Sequence, residues 1–213
     1  GDSSLLFHST GPGIGVFGQL VGVNDLPDKP YSLQLDARRK AQELQVKQLS
    51  FVSEGLSVEA SGVAHKFPEP RDLELDVAAE ADNLHAIGKL FSVAYLPALP
   101  LSVKASVKSD AAGGKDELRG HFSLGNVAGE VSGQLSRKKD LSGSTFRYHA
   151  STPDLRELAG ARGIEVVAAG RVPARLEAEL AVLPEQLRIT RLTAKIADDQ
   201  LRATGLLDFR QAE

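Results

Sequence analysis

Six residues near the start of the chain, Gly13 to Gly18, read GIGVFG and have the G-x-G-x-x-G spacing of a dinucleotide-binding turn. They follow an apolar run, Leu5 to Phe7, that can form a strand, and Asp36 lies 18 residues after Gly18. In a dinucleotide-binding fold a helix begins at the third glycine, so that its free N–H groups face the pyrophosphate. Here the next twelve residues are QLVGVNDLPDKP, whose glycine, asparagine and prolines prevent three helical turns. The sequence therefore predicts a connecting loop and no dinucleotide.

Other residue types that do chemistry are present without the spacing that chemistry needs. The five histidines, at positions 8, 65, 85, 121 and 149, have no second histidine or carboxylate at metal-ligand spacing on a predicted helix. No G-x-S-x-G nucleophile motif occurs, and the chain has no cysteine. Acidic residues mostly alternate with apolar ones, as in LELDV at 73–77, which is typical of the solvent side of a strand. We therefore expect no catalytic residue, no metal and no cofactor.

Composition and charge limit the kinds of partner that we expect for this chain. The 213 residues carry a net charge of −3, with a sequence pI near 6.0, so nothing indicates a nucleic-acid-binding surface. Methionine is absent and the chain begins Gly1-Asp2-Ser3, which we interpret as a piece of a longer protein from which a signal peptide or membrane anchor has been removed. No apolar stretch approaches the roughly 20 residues of a transmembrane helix.

The residues that remain to be explained are short alternating segments. Leu33, Leu35 and Ala37 alternate with polar residues, and the same pattern runs through 101–107 and 176–182. A period of two with one polar side is the signal of half-buried β-strands.

These strands recur at intervals of about 70 residues. Prolines precede a strand at three places, leucines open the next strand, and glycines fall late in the third. The positions are Pro30, Pro100 and Pro173; Leu44, Leu118 and Leu187; and Gly62, Gly133 and Gly205. We expect the segments after the three prolines to be equivalent first strands, with Ala37, Ala105 and Ala178 at matching positions.

The first and third copies share a shift in the alternation. Leu44 and Val46 are followed by Leu49 and Phe51, and residues 187–194 repeat the same spacing. A shift of one residue would turn the apolar side chains to the other face, so we predict a β-bulge or bend at both places. A further expectation is a short helix after Thr152, with Thr152 as its N-cap and Pro153 at its first helical position.

The sequence thus predicts a mainly β protein. We expect an elongated, strongly bent or twisted antiparallel sheet, built from repeats of about four strands and a short helical or loop connector. The approximate units are 1–29 (partial), 30–99, 100–172 and 173–213 (partial) of a single repeat-built domain. Two arrangements remain open: an open groove whose apolar side stays accessible, or a closed sandwich or barrel with a filled core.

Three segments show a resemblance to a known family. They are PLSVKASVKSDAAGGKDELRGHFSLGNVAGEVSGQLS at 100–136, STPDLRELA at 151–159 and VPARLEAELAVLPEQLRITRLTAKIADDQLRATGLLDF at 172–209. With the rest of residues 30–210 they resemble the AsmA-like proteins of Gram-negative bacteria, a group related in architecture to TamB, YhdP and the bridge-like lipid-transfer proteins. The resemblance rests on short sequence elements that recur along the chain: Pro-Asp-Leu, Leu-Pro and glycine-spaced elements.

The resemblance implies a periplasmic segment of a protein that is anchored in the inner membrane by an N-terminal helix absent from this sequence. It implies binding of phospholipid or another acyl-chain lipid, and a role in phospholipid transport to the outer membrane or in the homeostasis of that membrane. Outer-membrane assembly components are expected partners. The alternative is a non-catalytic scaffold or protein-interaction module in the same compartment.

If the apolar side is a lipid groove, ten residues are expected to line it. They are Leu101, Val103, Ala105, Phe122, Leu124, Val131, Leu176, Leu180, Ile189 and Leu201.

Overall fold

The chain is a mainly β protein. The computed structural model describes residues 2–13, 29–66, 72–85, 96–109, 114–138, 140–161, 163–167 and 170–208. The strands are β1 (Ser3–Gly11), β2 (Tyr31–Lys40), β3 (Glu43–Ser53), β4 (Leu56–His65), β5 (Asp72–Ala81), β6 (Leu101–Ser109), β7 (Lys115–Leu124), β8 (Val127–Ser136), β9 (Thr145–Thr152), β10 (Ala174–Leu183), β11 (Gln186–Ile196) and β12 (Asp199–Asp208). A short helix, α1, comprises Arg156–Gly160.

The twelve strands form one antiparallel sheet in which the spatial order is the chain order, from β1 to β12. The sheet does not close into a barrel. The predicted open, mainly β, antiparallel fold is therefore confirmed, and the closed barrel is excluded.

Backbone contacts group the chain into two units, residues 1–104 and 105–213. The first unit contains β1–β5 and the start of β6, and the second contains the rest of β6 and β7–β12. The four repeat units expected from the sequence stay a prediction.

Strands begin directly after each of the three spaced prolines, at Tyr31, Leu101 and Ala174. Proline has no N–H to donate to a ladder, and the residue that follows it is free to start one.

The pairing of β2, β3 and β4 is repeated by β10, β11 and β12. Every partner pair of the first set corresponds to a pair of the second set whose residue numbers are higher by 143. Gly62 thus corresponds to Gly205, and Leu44 to Leu187, as the sequence predicted. The alanine alignment was wrong: Ala37 corresponds to Leu180, and Ala178 to Leu35. Both alanines are buried on the apolar side, but two residues apart in the common register.

Both predicted bulges are present. In β3 the ladder with β4 slips between Val46 and Leu49, and in β11 the ladder with β12 slips between Ile189 and Leu192. Two residues of the bulged strand there oppose one of its partner, which restores the apolar side chains to their original side. At the second bulge Thr190 Oγ1 donates a hydrogen bond of 3.0 Å to the backbone oxygen of Glu179.

The connectors between strands test only some of the predictions made for them. Most of GIGVFG and its following loop, residues 14–28, lies outside the described residues, as do 86–95. Helix α1 begins later than expected: its N-cap is Leu155, which makes no side-chain cap. Thr152 Oγ1 instead accepts the N–H of Asp154 at 3.1 Å, two residues along the chain. The predicted Thr152 cap is therefore wrong, because the threonine closes a turn before the helix begins.

Replacement of the two equivalent glycines should have opposite consequences. A Cβ at Gly62 would lie 2.2 Å from the backbone oxygen of Glu74 in β5, whereas a Cβ at Gly205 meets nothing within 4 Å. We expect Gly62→Ala to lower the free energy of unfolding by about 1–3 kcal/mol, the usual cost of overpacking. Gly205→Ala is the matched control and should change it by less than about 0.5 kcal/mol. Chemical denaturation measures both, and equal effects would contradict the close approach of β5 to β4.

Candidate functional site

Seven of the ten predicted lining residues lie on one face of the second unit. Residues directly opposite in a ladder project to the same side of the sheet, and alternate residues along a strand share that side. Phe122 is opposite Gly129, Val131 is opposite Tyr148, and Leu180 is opposite both Phe146 and Ile189. The seven brought together are Phe122, Leu124, Val131, Leu176, Leu180, Ile189 and Leu201.

The other three predicted residues lie on β6. Leu101, Val103 and Ala105 alternate along this strand and therefore share one side of it. The boundary between the two units falls between Lys104 and Ala105. That these three continue the face of the other seven stays a prediction.

The complete apolar face of the second unit, which we call the second apolar face, is larger than the predicted set. Beyond the seven it includes Leu118, Val127, Leu135, Phe146, Tyr148, Ala150, Ala174, Ala178, Val182, Leu187, Leu192, Ala194, Ile196, Ala203 and Leu207. Most of the additional residues also alternate with polar ones, so the signal that could have found them was in the sequence.

The first unit has a corresponding surface, the first apolar face, which the sequence prediction did not include. Its members are Leu5, Phe7, Leu33, Leu35, Ala37, Leu44, Val46, Leu49, Phe51, Leu56, Val58, Ala60, Ala64, Leu73, Leu75, Val77, Ala79 and Ala81. The bulge in β3 is what keeps Leu44 and Val46 on the same side as Leu49 and Phe51.

Both faces remain accessible to solvent. Their leucine, valine, isoleucine and aromatic side chains are half-buried or exposed, with Val127 as the exception at 8%. On the outer strands the exposed fraction reaches 53% at Leu5 and 61% at Leu201. Six of the eight buried apolar residues of the described chain are alanines. A filled aliphatic core of the kind a sandwich requires is thus not present in the described residues.

Polar side chains on these faces lie near the strand ends. Asp116, at the start of β7, is paired with Arg137 at 2.8 Å, and Tyr31, at the start of β2, shares a hydrogen bond of 3.1 Å with Ser9. Farther along the strands the lining is aliphatic with some aromatic rings, and the rings of Phe122 and Tyr148 stack with their centroids 5.3 Å apart. Each face is therefore a hydrocarbon surface with polar residues toward its margins.

The opposite, polar face carries the charges. Histidines pair there with single carboxylates: His121 with Glu130 at 3.5 Å and His149 with Glu177 at 3.7 Å. His8 and His149 occupy equivalent positions, beside Gln34 and Glu177 respectively. In the part of the chain that the structure describes, no three His, Asp or Glu side chains are grouped to hold a metal ion.

Two cavities of the second unit, of about 660 and 450 Å³, are lined largely by residues of the polar face. The larger lies over β10–β12 and the smaller over β7–β11. Curvature of the apolar face into a groove stays a prediction.

Comparison with known proteins identifies no relative: no family model, no curated protein and no solved structure matches the chain. Among the described residues there is no helix with the length and apolar character needed to cross a membrane.

The ionisation of the Tyr148 phenol reports on the hydration of the second apolar face. Partial burial among aliphatic side chains raises the pKa of its phenol above the ordinary value of about 10. The neutral phenol is thus favoured in the folded chain. Its contribution to the free energy of unfolding is complete at pH values below the ordinary pKa, and it is lost as the pH rises through the raised pKa of the folded chain. We expect the near-ultraviolet titration difference between the wild type and Tyr148→Phe to have its midpoint above 10. A midpoint at or below 10 would show a phenol as hydrated as in the unfolded chain.

Proposed function

We propose that the apolar faces of this chain bind the acyl chains of phospholipids. The observation that supports the proposal is an aliphatic surface that spans many strands in each unit, has polar margins and stays accessible to solvent. Soluble proteins rarely keep apolar patches of this extent unless the patch binds a partner.

The chemistry of the lining favours a hydrocarbon ligand. Leucine, valine, isoleucine and alanine make up most of it, and the polar groups that would orient a hydrogen-bonding ligand lie toward the strand ends. Protein interfaces are instead enriched in tyrosine, tryptophan, methionine and arginine. The whole chain contains no methionine and no tryptophan.

The dimensions fit an acyl chain. Six strands at about 4.8 Å spacing extend about 24 Å across β7–β12, measured along the sheet surface. A bilayer core of about 30 Å contains two layers of acyl chains, so one chain needs about 15 Å. A single acyl chain laid across the strands would therefore find apolar side chains along its whole length.

The expected binding free energy favours movement of a lipid along the face over retention at one place. Hydrocarbon burial contributes about 25 cal/mol per Å², so a few hundred Å² supplies several kcal/mol before the cost of ordering the ligand. Repeated strands of similar lining offer similar affinity at successive positions, which allows a lipid to move. A deep pocket with specific polar contacts would hold it in one place.

In its wider setting we propose that the chain is a non-catalytic part of a periplasmic protein anchored in the inner membrane. Its role is phospholipid transport to the outer membrane or homeostasis of that membrane. Its protein partners in this role are outer-membrane assembly components. The resemblance of residues 30–210 to AsmA-like proteins supports this setting, and the open antiparallel sheet is compatible with it.

An aspartate on the second apolar face should abolish lipid capture without unfolding the chain. Leu180 is half-buried, so Leu180→Asp can hydrate its charge and should cost about 1–2 kcal/mol of stability. Ala181→Asp is the matched control, because Ala181 lies on the polar face opposite Arg188. We expect phospholipid cross-linking from a photoreactive residue at Val131, near Leu180 on the same face, to fall about tenfold in Leu180→Asp and to be unchanged in Ala181→Asp.

Circular dichroism and denaturation of the same variants separate loss of binding from loss of fold. An unfolded Leu180→Asp would indicate a filled core, and a folded wild type that never captures phospholipid would overturn the proposal. Capture of proteins in place of lipid from the same position would favour the scaffold alternative.

A further inference from the structure

Four cations converge on the polar face of β10–β12, on the opposite side of the sheet from the second apolar face. Arg175 lies on β10, Arg191 and Lys195 on β11, and Arg202 on β12. All four line the cavity of about 660 Å³, and Glu177 is the one carboxylate among the described residues that line it. We call these four residues the cation cluster.

The register places like charges side by side. Arg175 and Lys195 are direct partners in the β10–β11 ladder. Arg202 is the partner of Thr193, which lies between Arg191 and Lys195 on β11. Like charges directly opposite each other destabilise a sheet. The Arg175–Lys195 pair therefore acts against folding unless something neutralises it.

No ion pair among the described residues does so: Glu179 is the ladder partner of Arg191 but is paired with Arg147. On the adjoining polar face, basic groups have carboxylate partners: His121 with Glu130, His149 with Glu177, and Arg147 with Glu179 at 3.9 Å. No carboxylate among the described residues lies within ion-pair distance of any member of the cation cluster. Glu177, which faces the cavity, is 3.7 Å from His149.

The first unit shows that the fold does not need these charges. Its strands β2–β4 have the register of β10–β12, with a bulge at the equivalent place and residue numbers lower by 143. The positions equivalent to Arg175, Arg191, Lys195 and Arg202 are Ser32, Gln48, Val52 and Glu59. The same three-strand structure thus forms with a net charge of −1 at four positions that carry +4 in the second unit.

We propose that the cation cluster binds phosphate groups. Guanidinium groups match phosphate oxygens in a two-point geometry, and a lysine ammonium adds a compact charge. No aromatic side chain among the described residues lines the cavity, so these residues offer no platform on which a nucleobase would stack. A phosphorylated small molecule and the headgroups of an anionic phospholipid surface both present this chemistry, and the volume suits either one small polyanion or a few headgroups.

The test uses substitutions taken from the first unit of the same chain. The triple variant Arg175→Ser, Arg191→Gln, Lys195→Val replaces three cations by residues already compatible with this register. The control triple Arg38→Gln, Lys40→Gln, Lys104→Gln removes the same net charge from exposed positions on other strands. Circular dichroism of both variants should match the wild type.

Two probes distinguish the source of the phosphate. One arm measures binding of inorganic pyrophosphate by calorimetry, and the other measures sedimentation with vesicles of phosphatidylcholine mixed with phosphatidylglycerol. We expect the wild type to bind at least one probe, the site triple to bind it about tenfold or more weakly, and the control triple to bind as the wild type does. Binding of pyrophosphate indicates a soluble phosphorylated ligand, and binding confined to vesicles indicates a membrane surface.

Three results would overturn the proposal: a wild type that binds neither probe, a site triple that binds as well as the wild type, or a control triple that loses as much affinity as the site triple. The last result would assign the binding to net charge alone. Because the cluster lies on the opposite side of the sheet from the acyl-chain face, this proposal and the proposed function can fail independently.

Discussion

The period of two along a β-strand is the constraint on which the whole structure depends. It divides every strand into an apolar and a polar side, and the bulges at Val46–Leu49 and Ile189–Leu192 restore the division where the sequence would otherwise reverse it. Without that correction, Leu44 and Val46 would project among the charges of the polar face. Both proposed binding surfaces exist because each side of the sheet keeps its apolar or polar character from one strand to the next.

The distribution of buried residues explains how a sheet with an open apolar face can be stable. Its buried apolar positions are mostly small, such as Ala37, Ala64 and Ala178, and glycines allow adjacent backbones or rings to approach closely. At Gly129 the ring of Phe122 occupies the space that a Cβ would fill, and the same ring stacks on Tyr148 in the next strand. Stability thus comes from ladder hydrogen bonds and from contacts between neighbouring strands, while the outer surface of the large side chains is left accessible.

Much of this could be predicted from the sequence because it is local. Alternation gave the strands, prolines gave the starts at Tyr31, Leu101 and Ala174, and the broken alternation after Val46 gave the bulge. What failed depended on geometry: Thr152 closes a turn instead of capping α1, and the alanine alignment differs from the true register by two residues. The cation cluster could not be found in this way, because Arg175, Arg191 and Arg202 become neighbours only when the register of three strands is known.

The central claim is that the second apolar face is open to solvent rather than part of a filled core, and cysteine alkylation tests it most directly. The chain has no cysteine, so Leu176→Cys, Leu180→Cys and Ile189→Cys each give a single reporter, with Glu177→Cys on the polar face and Val127→Cys at a buried position as references. In the folded protein we expect a maleimide to modify the three reporters within about tenfold of the rate at Glu177→Cys and much faster than at Val127→Cys, since no unfolding step is needed. Reporters that react as slowly as Val127→Cys, and only under conditions that unfold the chain, would show that the apolar face is buried and would contradict the account.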